Sequence, residues 1–241
     1  MSESADTVVF LPALNEEQSL PAVIDELRRE LPTVDVLVVD DGSTDDTATL
    51  AREGGAEVLT FPENRGLPAA VAAGYEYAAR KHYGFCGRVD ADGQHPAAEL
   101  RRLLDLVRAG ECDVAVGSRF VSGDGYAAYR YKPSPARRFG TAVLRRALAV
   151  RLGRPFADAT SGMYAANAKA FPYLAQPYTT GAPEVQGLLR LAEAGLVVEE
   201  VPVDMRERAS GESRITGKKA VALVLTVAGT ILLYRRAKGR P

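Results

Sequence analysis

Hydrophobic and polar positions along the first half of the chain fall into blocks of two kinds. Apolar runs at Thr7 to Leu11, Val34 to Val39, Val58 to Phe61, Phe85 to Val89 and Cys112 to Gly117 are continuous rather than alternating, as in strands covered on both faces. Between them, apolar residues recur three and four apart. Leu20, Val23, Ile24, Leu27 and Leu31 share one helical face, and so do Leu100, Leu103, Leu104 and Val107 in a helix from Pro96 to Ala109. Pro12 ends the first strand in this pattern, Asn15 caps the first helix and Pro32 stops it. A second helix starts at Thr44 or Asp45 and runs to about Glu53. An Ala-rich one runs from Pro68, a first-turn proline, to about His82. Strand and helix in alternation imply an α/β fold, a mostly parallel sheet flanked by helices.

The second half is less regular. Phe120 to Pro135 reads as a long loop with three tyrosines, and loops of that length are functional or mobile. Ala136 to Leu152 reads as a basic amphipathic helix, Met163 to Ala166 as a strand, Glu184 to Ala194 as a helix and Leu196 to Val203 as a strand. The apolar tail, Ala220 to Tyr234, is flanked by Lys218, Lys219, Arg235, Arg236, Lys238 and Arg240. It is shorter than the ~20 residues a spanning helix needs. Two readings stand for it: a helix lying on an anionic membrane surface, or one docked on the core or on a second subunit.

Composition changes this picture little. The chain has 241 residues, 46% hydrophobic and 25% charged, enough for one large domain with an appendage. A net charge of −1 argues neither for nor against a nucleic-acid partner, and none is expected. Cys86 and Cys112 sit in apolar runs and read as core residues, with no disulfide framework or zinc site. Met1 to Asp6 is acidic and polar, without the apolar region of a signal peptide, which points to the cytoplasm.

Candidate chemistry lies where strands end. Asp90 and Asp92 close the run from Phe85 to Val89, and Asp40-Asp41 closes the run before it. In parallel α/β sheets ligands bind beyond the carboxyl ends of strands, so both acidic pairs face one crevice. Strand residues two apart point to the same side, so Asp90 and Asp92 face one point just past the strand's end. Carboxylates that close repel unless a cation separates them. A hard divalent ion suits oxygen ligands, and Mg²⁺ commonly takes one or two carboxylates and completes its shell from substrate phosphates. A diphosphate-bearing substrate is thereby implied. The plainer alternative is a turn, since Asp and Gly dominate turns. An EF-hand loop does not fit, because its twelfth position would be Arg101. Gly123 to Ala128 matches a dinucleotide-binding pattern but opens no helix. Met205 to Arg214 carries Arg206, Arg208 and Arg214 without apolar periodicity, as an anion clamp or an exposed basic loop would.

Leu11-Pro-Ala-Leu-Asn-Glu-Glu, Val38-Val-Asp-Asp-Gly-Ser-Thr-Asp, Asn64-Arg-Gly-Leu and Val89-Asp-Ala-Asp-Gly-Gln-His together resemble family-2 glycosyltransferases of the GT-A fold. Gly117-Ser-Arg-Phe, Asp158-Ala-Thr-Ser-Gly, Pro183-Glu-Val and Val201-Pro-Val-Asp-Met-Arg-Glu-Arg are similar to its dolichol-phosphate mannose synthase-like branch. The resemblance spans roughly residues 7 to 216 and implies a GT-A domain over 1–216. Its nucleotide-binding half would cover about 7–118, its acceptor half about 119–216, and the C-terminal helix would be a separate piece, 217–241.

It implies inverting transfer of a hexose from a GDP-mannose or UDP-glucose type donor to a polyprenyl phosphate at the cytosolic membrane face, with Mn²⁺ or Mg²⁺ as cofactor. The alternatives are a soluble or glycan acceptor, or nucleotide-sugar binding without turnover. By the same analogy Pro12, Leu14, Glu16, Asp41, Gly66 and Ala91 line the donor site. Asp90, Asp92 and Gln94 hold the metal, and Asp92 counts as catalytic. Asp158 lies near the sugar and is the candidate base if one is required. Arg119, Arg206, Arg208 and Arg214 take phosphate charge, Arg208 in a catalytic role. The stretch Tyr178-Thr-Thr-Gly-Ala departs from the family's pattern.

Overall fold

A computed structural model describes residues 5–123, 126, 146, 148–150, 152–206 and 229. The described strands form one seven-stranded sheet. β1 (Thr7–Ala13), β2 (Asp35–Asp40), β3 (Glu57–Thr60), β4 (Phe85–Arg88), β5 (Val114–Ser118), β6 (Tyr164–Asn167) and β7 (Val198–Pro202) pair in the spatial order β3-β2-β1-β4-β6-β5-β7. Every pairing is parallel except those of β6, which runs antiparallel to both β4 and β5. The mostly parallel sheet expected from the apolar runs is therefore present. Strands from both nominal halves of the chain contribute to it.

Helices α1 (Leu20–Glu30), α2 (Thr47–Glu53), α3 (Leu67–Arg80), α4 (Ala97–Arg108), α5 (Phe171–Leu174) and α6 (Pro183–Glu193) cover the sheet. Alternate residues of β1 enter opposite core layers. Val8 and Phe10 pack with the buried faces of α3, α5 and α6, while Val9 and Leu11 pack with those of α1 and α4. Phe10 is fully buried and meets Tyr75 of α3 edge-on, with ring centroids 4.9 Å apart. Burying a side chain of that size stabilises by about 1.5–3 kcal/mol.

Two local expectations need correction. Pro12 does not end β1, which continues to Ala13 and pairs Pro12 with Val39. The carbonyl of Phe10 accepts from Val89 on the β4 side, and that of Ala13 accepts from Asp41 on the β2 side. By alternation the missing Pro12 N–H falls on the β4 side, beyond Arg88, where β4 has ended and no donor is needed. Nor does Asn15 cap the first helix: α1 starts at Leu20 with Ser19 before it, and Asn15 has a positive φ of 54°. Its side chain reaches across to the β2–α2 loop instead, as described below. The expectations for 136–152 fall mostly, and those for 220–234 almost entirely, outside the described residues. No helix among the described residues is long and apolar enough to cross a membrane.

Candidate active site

Three loops meet at the carboxyl ends of β1, β2 and β4, because β1 lies between the other two. The β1–α1 and β2–α2 loops are zipped together. Asn15 N–H donates to Ser43 Oγ (2.9 Å) and its Oδ1 accepts from Thr44 N–H (2.8 Å). Glu16 N–H donates to Thr47 Oγ1 (2.8 Å), and the Glu16 carboxylate accepts from Ser19 Oγ (2.9 Å). Pro12 is buried, and Leu14 and Glu16 are half-buried at this rim. Asp40 turns back to accept from Ser43 N–H (3.0 Å). Asp41 is buried and uses both oxygens on the next loop, accepting from Arg65 N–H (2.7 Å) and Gly66 N–H (2.8 Å). Gly42 makes this approach possible: its φ is +73°, and a Cβ there would lie 2.7 Å from the carbonyl carbon of Glu63. Asp41 and Gly66, both expected at the donor site, are thus directly bonded.

The second acidic pair sits differently from the expectation. β4 ends at Arg88, so Asp90 and Asp92 lie in the turn beyond it, where the same-side rule for strands does not apply. Asp92 is 5% exposed, and its Oδ1 accepts from Gln94 N–H (3.1 Å). The Asp90 side chain is 37% exposed. Its N–H donates to Nδ1 of buried His95 (3.0 Å), which makes Nδ1 the unprotonated nitrogen of a neutral ring. Burial pushes the His95 pKa down, and Asp90 and Asp92 do not offset it. Ala91 is buried between the carboxylates.

Two contacts to which the sequence reading gave no role shape the Asp90 environment. The antiparallel β4–β6 pairing ends at Arg88 and Tyr164, and two residues further on Gly162 lies against the Asp90 side chain. A Cβ at Gly162 would collide with both Asp90 carboxylate oxygens. Arg88 is buried, and its Nη2 lies 2.8 Å from Glu184 Oε1 in the first turn of α6 and 3.7 Å from Asp90 Oδ1. Burial opposes the Arg88 charge, but Glu184 and then Asp90 outweigh it and hold the guanidinium charged above its ordinary range. A charge inside an apolar strand run was the signal for Arg88. A buried cation needs a buried anion, and Glu184 is that anion.

On the β5 side, Arg119 forks onto Asp158, with Nε to Oδ2 at 2.7 Å and Nη2 to Oδ1 at 2.8 Å. Asp158 is 1% exposed. Its loop hangs from Glu200 of β7, which accepts from Asp158 N–H (2.6 Å) and Ala157 N–H (2.8 Å). Glu200 was hidden in the sequence because it sits in an ordinary mixed strand pattern. On the α1 side, Arg206 N–H donates to the Gln94 carbonyl (2.9 Å), tying the segment after β7 to the Asp90–Gln94 turn. The Arg206 guanidinium pairs with Glu26 (2.5 and 3.0 Å). Glu26 also accepts from Ala97 N–H (3.0 Å). Burial works against the Glu26 charge, but these partners outweigh it and hold its carboxyl below the usual range. Arg208 and Arg214 lie outside the described residues.

Among the described residues no three His, Cys, Asp or Glu side chains gather into a ready-made metal cage. Two carboxylates and an amide in one turn offer oxygen donors of the kind that a hard divalent cation accepts.

A family model described as glycosyl transferase family 2 matches residues 8–171. Polyprenol monophosphomannose synthase of Mycolicibacterium smegmatis is 31% identical over 235 residues, 92% of this chain and 85% of that protein. Undecaprenyl-phosphate mannosyltransferase of Micrococcus luteus is 33% identical over 218 residues, 87% of each. Among solved structures, glucosyl-3-phosphoglycerate synthase from Mycobacterium tuberculosis superposes with a TM-score of 0.67 at 25% identity, over 94% of this chain and 78% of that one. That crystal contains Mn²⁺, UDP and glucosyl-3-phosphoglycerate.

Proposed function

The chain belongs to glycosyl transferase family 2 and has the GT-A fold, and on that premise we propose that it moves a hexose, with inversion, from a nucleoside diphosphate sugar to a polyprenyl phosphate. The observation that carries the proposal is the acidic rim itself. The Asp41 loop and the Asp90–Gln94 turn are brought to one end of the sheet by β1. The two mannosyltransferases similar to this chain are named for polyprenol and undecaprenyl phosphate, which favours that acceptor class here.

Asp90, Asp92 and the Gln94 amide would hold Mn²⁺ or Mg²⁺, which when bound neutralises charge on the leaving diphosphate. The chain's own residues do the rest. The zipped loops at Pro12, Leu14, Glu16, Asp41 and Gly66 form a rigid rim for the nucleoside. An acceptor phosphate oxygen forms the new bond to the sugar's anomeric carbon while the bond to the diphosphate breaks, and the electron pair leaves with the diphosphate. That oxygen is already ionised near neutral pH, so no strong general base is required. The geometry agrees, because both oxygens of Asp158 are engaged by Arg119. In this reading Asp158 orients Arg119 toward phosphate charge rather than taking a proton. Arg206, Arg208 and Arg214 would add positive charge where the segment after β7 meets the metal turn. The basic-flanked tail, 220–234, would rest on the membrane surface at the cytosolic face.

Purified protein incubated with radiolabelled GDP-mannose or UDP-glucose, Mn²⁺ and a short polyprenyl phosphate is expected to yield organic-extractable sugar. Chelation should abolish the product, and Asp92→Asn should lower its rate about 10²-fold or more. No lipid-linked product with any donor of a broad panel would sink the proposal. A second reading, a phosphorylated soluble acceptor, is favoured by the phosphoglycerate-linked sugar in the superposed structure. It predicts a water-soluble product from the same donors.

A further inference from the structure

The buried Arg88 stands between two carboxylates, and its position raises a problem for the site. A guanidinium beside Asp90 competes with any cation for that carboxylate. Its Nη2 lies closer to Glu184 Oε1, at 2.8 Å, than to Asp90 Oδ1, at 3.7 Å. Arg88 Nε finds no hydrogen-bond partner among the described residues, so the placement of the group rests largely on Glu184. Glu184 in turn is fixed: it follows Pro183 at the start of α6, its side chain is 12% exposed, and the positive end of the helix dipole favours its charge.

The charges settle which residue matters. Asp90, Arg88 and Glu184 together carry one net negative charge, located at Asp90 once Arg88 is matched by Glu184. Without the Glu184 charge, Arg88 and Asp90 cancel, and a cation meets a neutral pair. We propose that Glu184 is a positioning residue: by pairing with Arg88 it holds that guanidinium back and leaves the Asp90 carboxylate available to a divalent cation. This rests on the reading of Asp90 as a metal ligand.

Direct Mn²⁺ binding, followed by the electron paramagnetic resonance signal of free Mn²⁺ with and without UDP or GDP, tests it without turnover. Glu184→Gln keeps the shape and can still accept from Arg88. It is expected to weaken Mn²⁺ binding about tenfold, within the range measured when outer-shell partners of metal ligands are changed. Nucleotide binding in the presence of a chelator should not change. Adding Arg88→Met to Glu184→Gln removes the competing cation and should recover most of the lost affinity, a rescue that a merely structural role would not produce. Mn²⁺ binding by Glu184→Gln equal to wild type, or a double variant no tighter than the single one, overturns the proposal. Should Glu184→Gln not fold, a crystal structure of the wild type with Mn²⁺ decides: Arg88 on Glu184 sustains the proposal, and Arg88 on Asp90 with Glu184 turned away refutes it. Asp90→Asn separates the two levels. If it binds Mn²⁺ like wild type, the reading of Asp90 as a ligand fails. If it loses binding while Glu184→Gln does not, only the positioning role fails.

Discussion

Gly162 matters because of what stands opposite it. A Cβ at this position would collide with the end of a short, partly exposed side chain, not with backbone. Asp90 can swing aside, so the fold is expected to tolerate Gly162→Ala with a nearly unchanged melting temperature. The carboxylate would then be displaced from the turn it shares with Asp92 and Gln94. A displacement of about 1 Å in such a site can cost about 10²-fold in rate. Transfer assays beside thermal melts check this: equal losses of stability and activity would contradict it. Asp90 and Asp92 were legible in the sequence because two acids at the end of an apolar run have few structural uses. Gly162 and Glu184 stood inside stretches that carry the family resemblance, and Arg88 stood out as a charge in an apolar run, but their roles were not legible, because these come from the antiparallel β4–β6 register and from a pairing 96 residues apart in sequence. No local pattern encodes either.

At the scale of elements, the start of β5 is held by one carboxylate. Asp113 accepts from Asn167 Nδ2 (2.9 Å) at the end of β6, from Lys169 Nζ (3.2 Å) just past it, and from Val197 N–H (2.9 Å) just before β7. The Asn167 and Val197 bonds, ahead of a modest burial cost, hold its carboxyl below the usual value. A folded pKa below the unfolded one stabilises the fold above about pH 4 and ceases to do so as pH falls through the lowered value. Asp113→Asn is therefore expected to melt below wild type at pH 7, and the gap should narrow as pH drops below about 4. A gap that stays constant from pH 7 to pH 3 would show that the charge is not what matters. Most elements were readable from apolar spacing, with ends shifted by a residue or two. The misreadings share one cause. Pro12 and Asn15 were given their commonest local meanings, strand stop and helix cap. In the structure Pro12 is tolerated because β4 stops short, and Asn15 is recruited by the neighbouring β2–α2 loop. The short helix α5 carries too few residues to show a period at all.

For the molecule as a whole, the question is whether the two nominal halves are one cooperative unit. The topology predicts that they are: β6 inserts between β4 and β5, and β7 closes the far edge, so neither half has a complete sheet alone. The two thiols report on this. Cys86 lies on β4 beside β1, and Cys112 lies just before β5, in the core layer that also takes Val201 and Val203. Both are buried, at 1% and 4% exposed. Burial pushes the Cys86 thiol far above its usual range, and burial followed by the charges of Glu199, Glu111 and Asp113 pushes Cys112 up to about 11. Neither should form thiolate in the native protein at pH 8. Ellman's reagent is thus expected to find no reactive thiol in the native protein and two in guanidinium chloride. Followed over time under native conditions and read by mass spectrometry, the two labels should appear at the same slow rate, because global opening exposes both. If Cys112 reacts much faster than Cys86, the β5–β7 side opens on its own, and the sheet is two foldons joined at β6 rather than one.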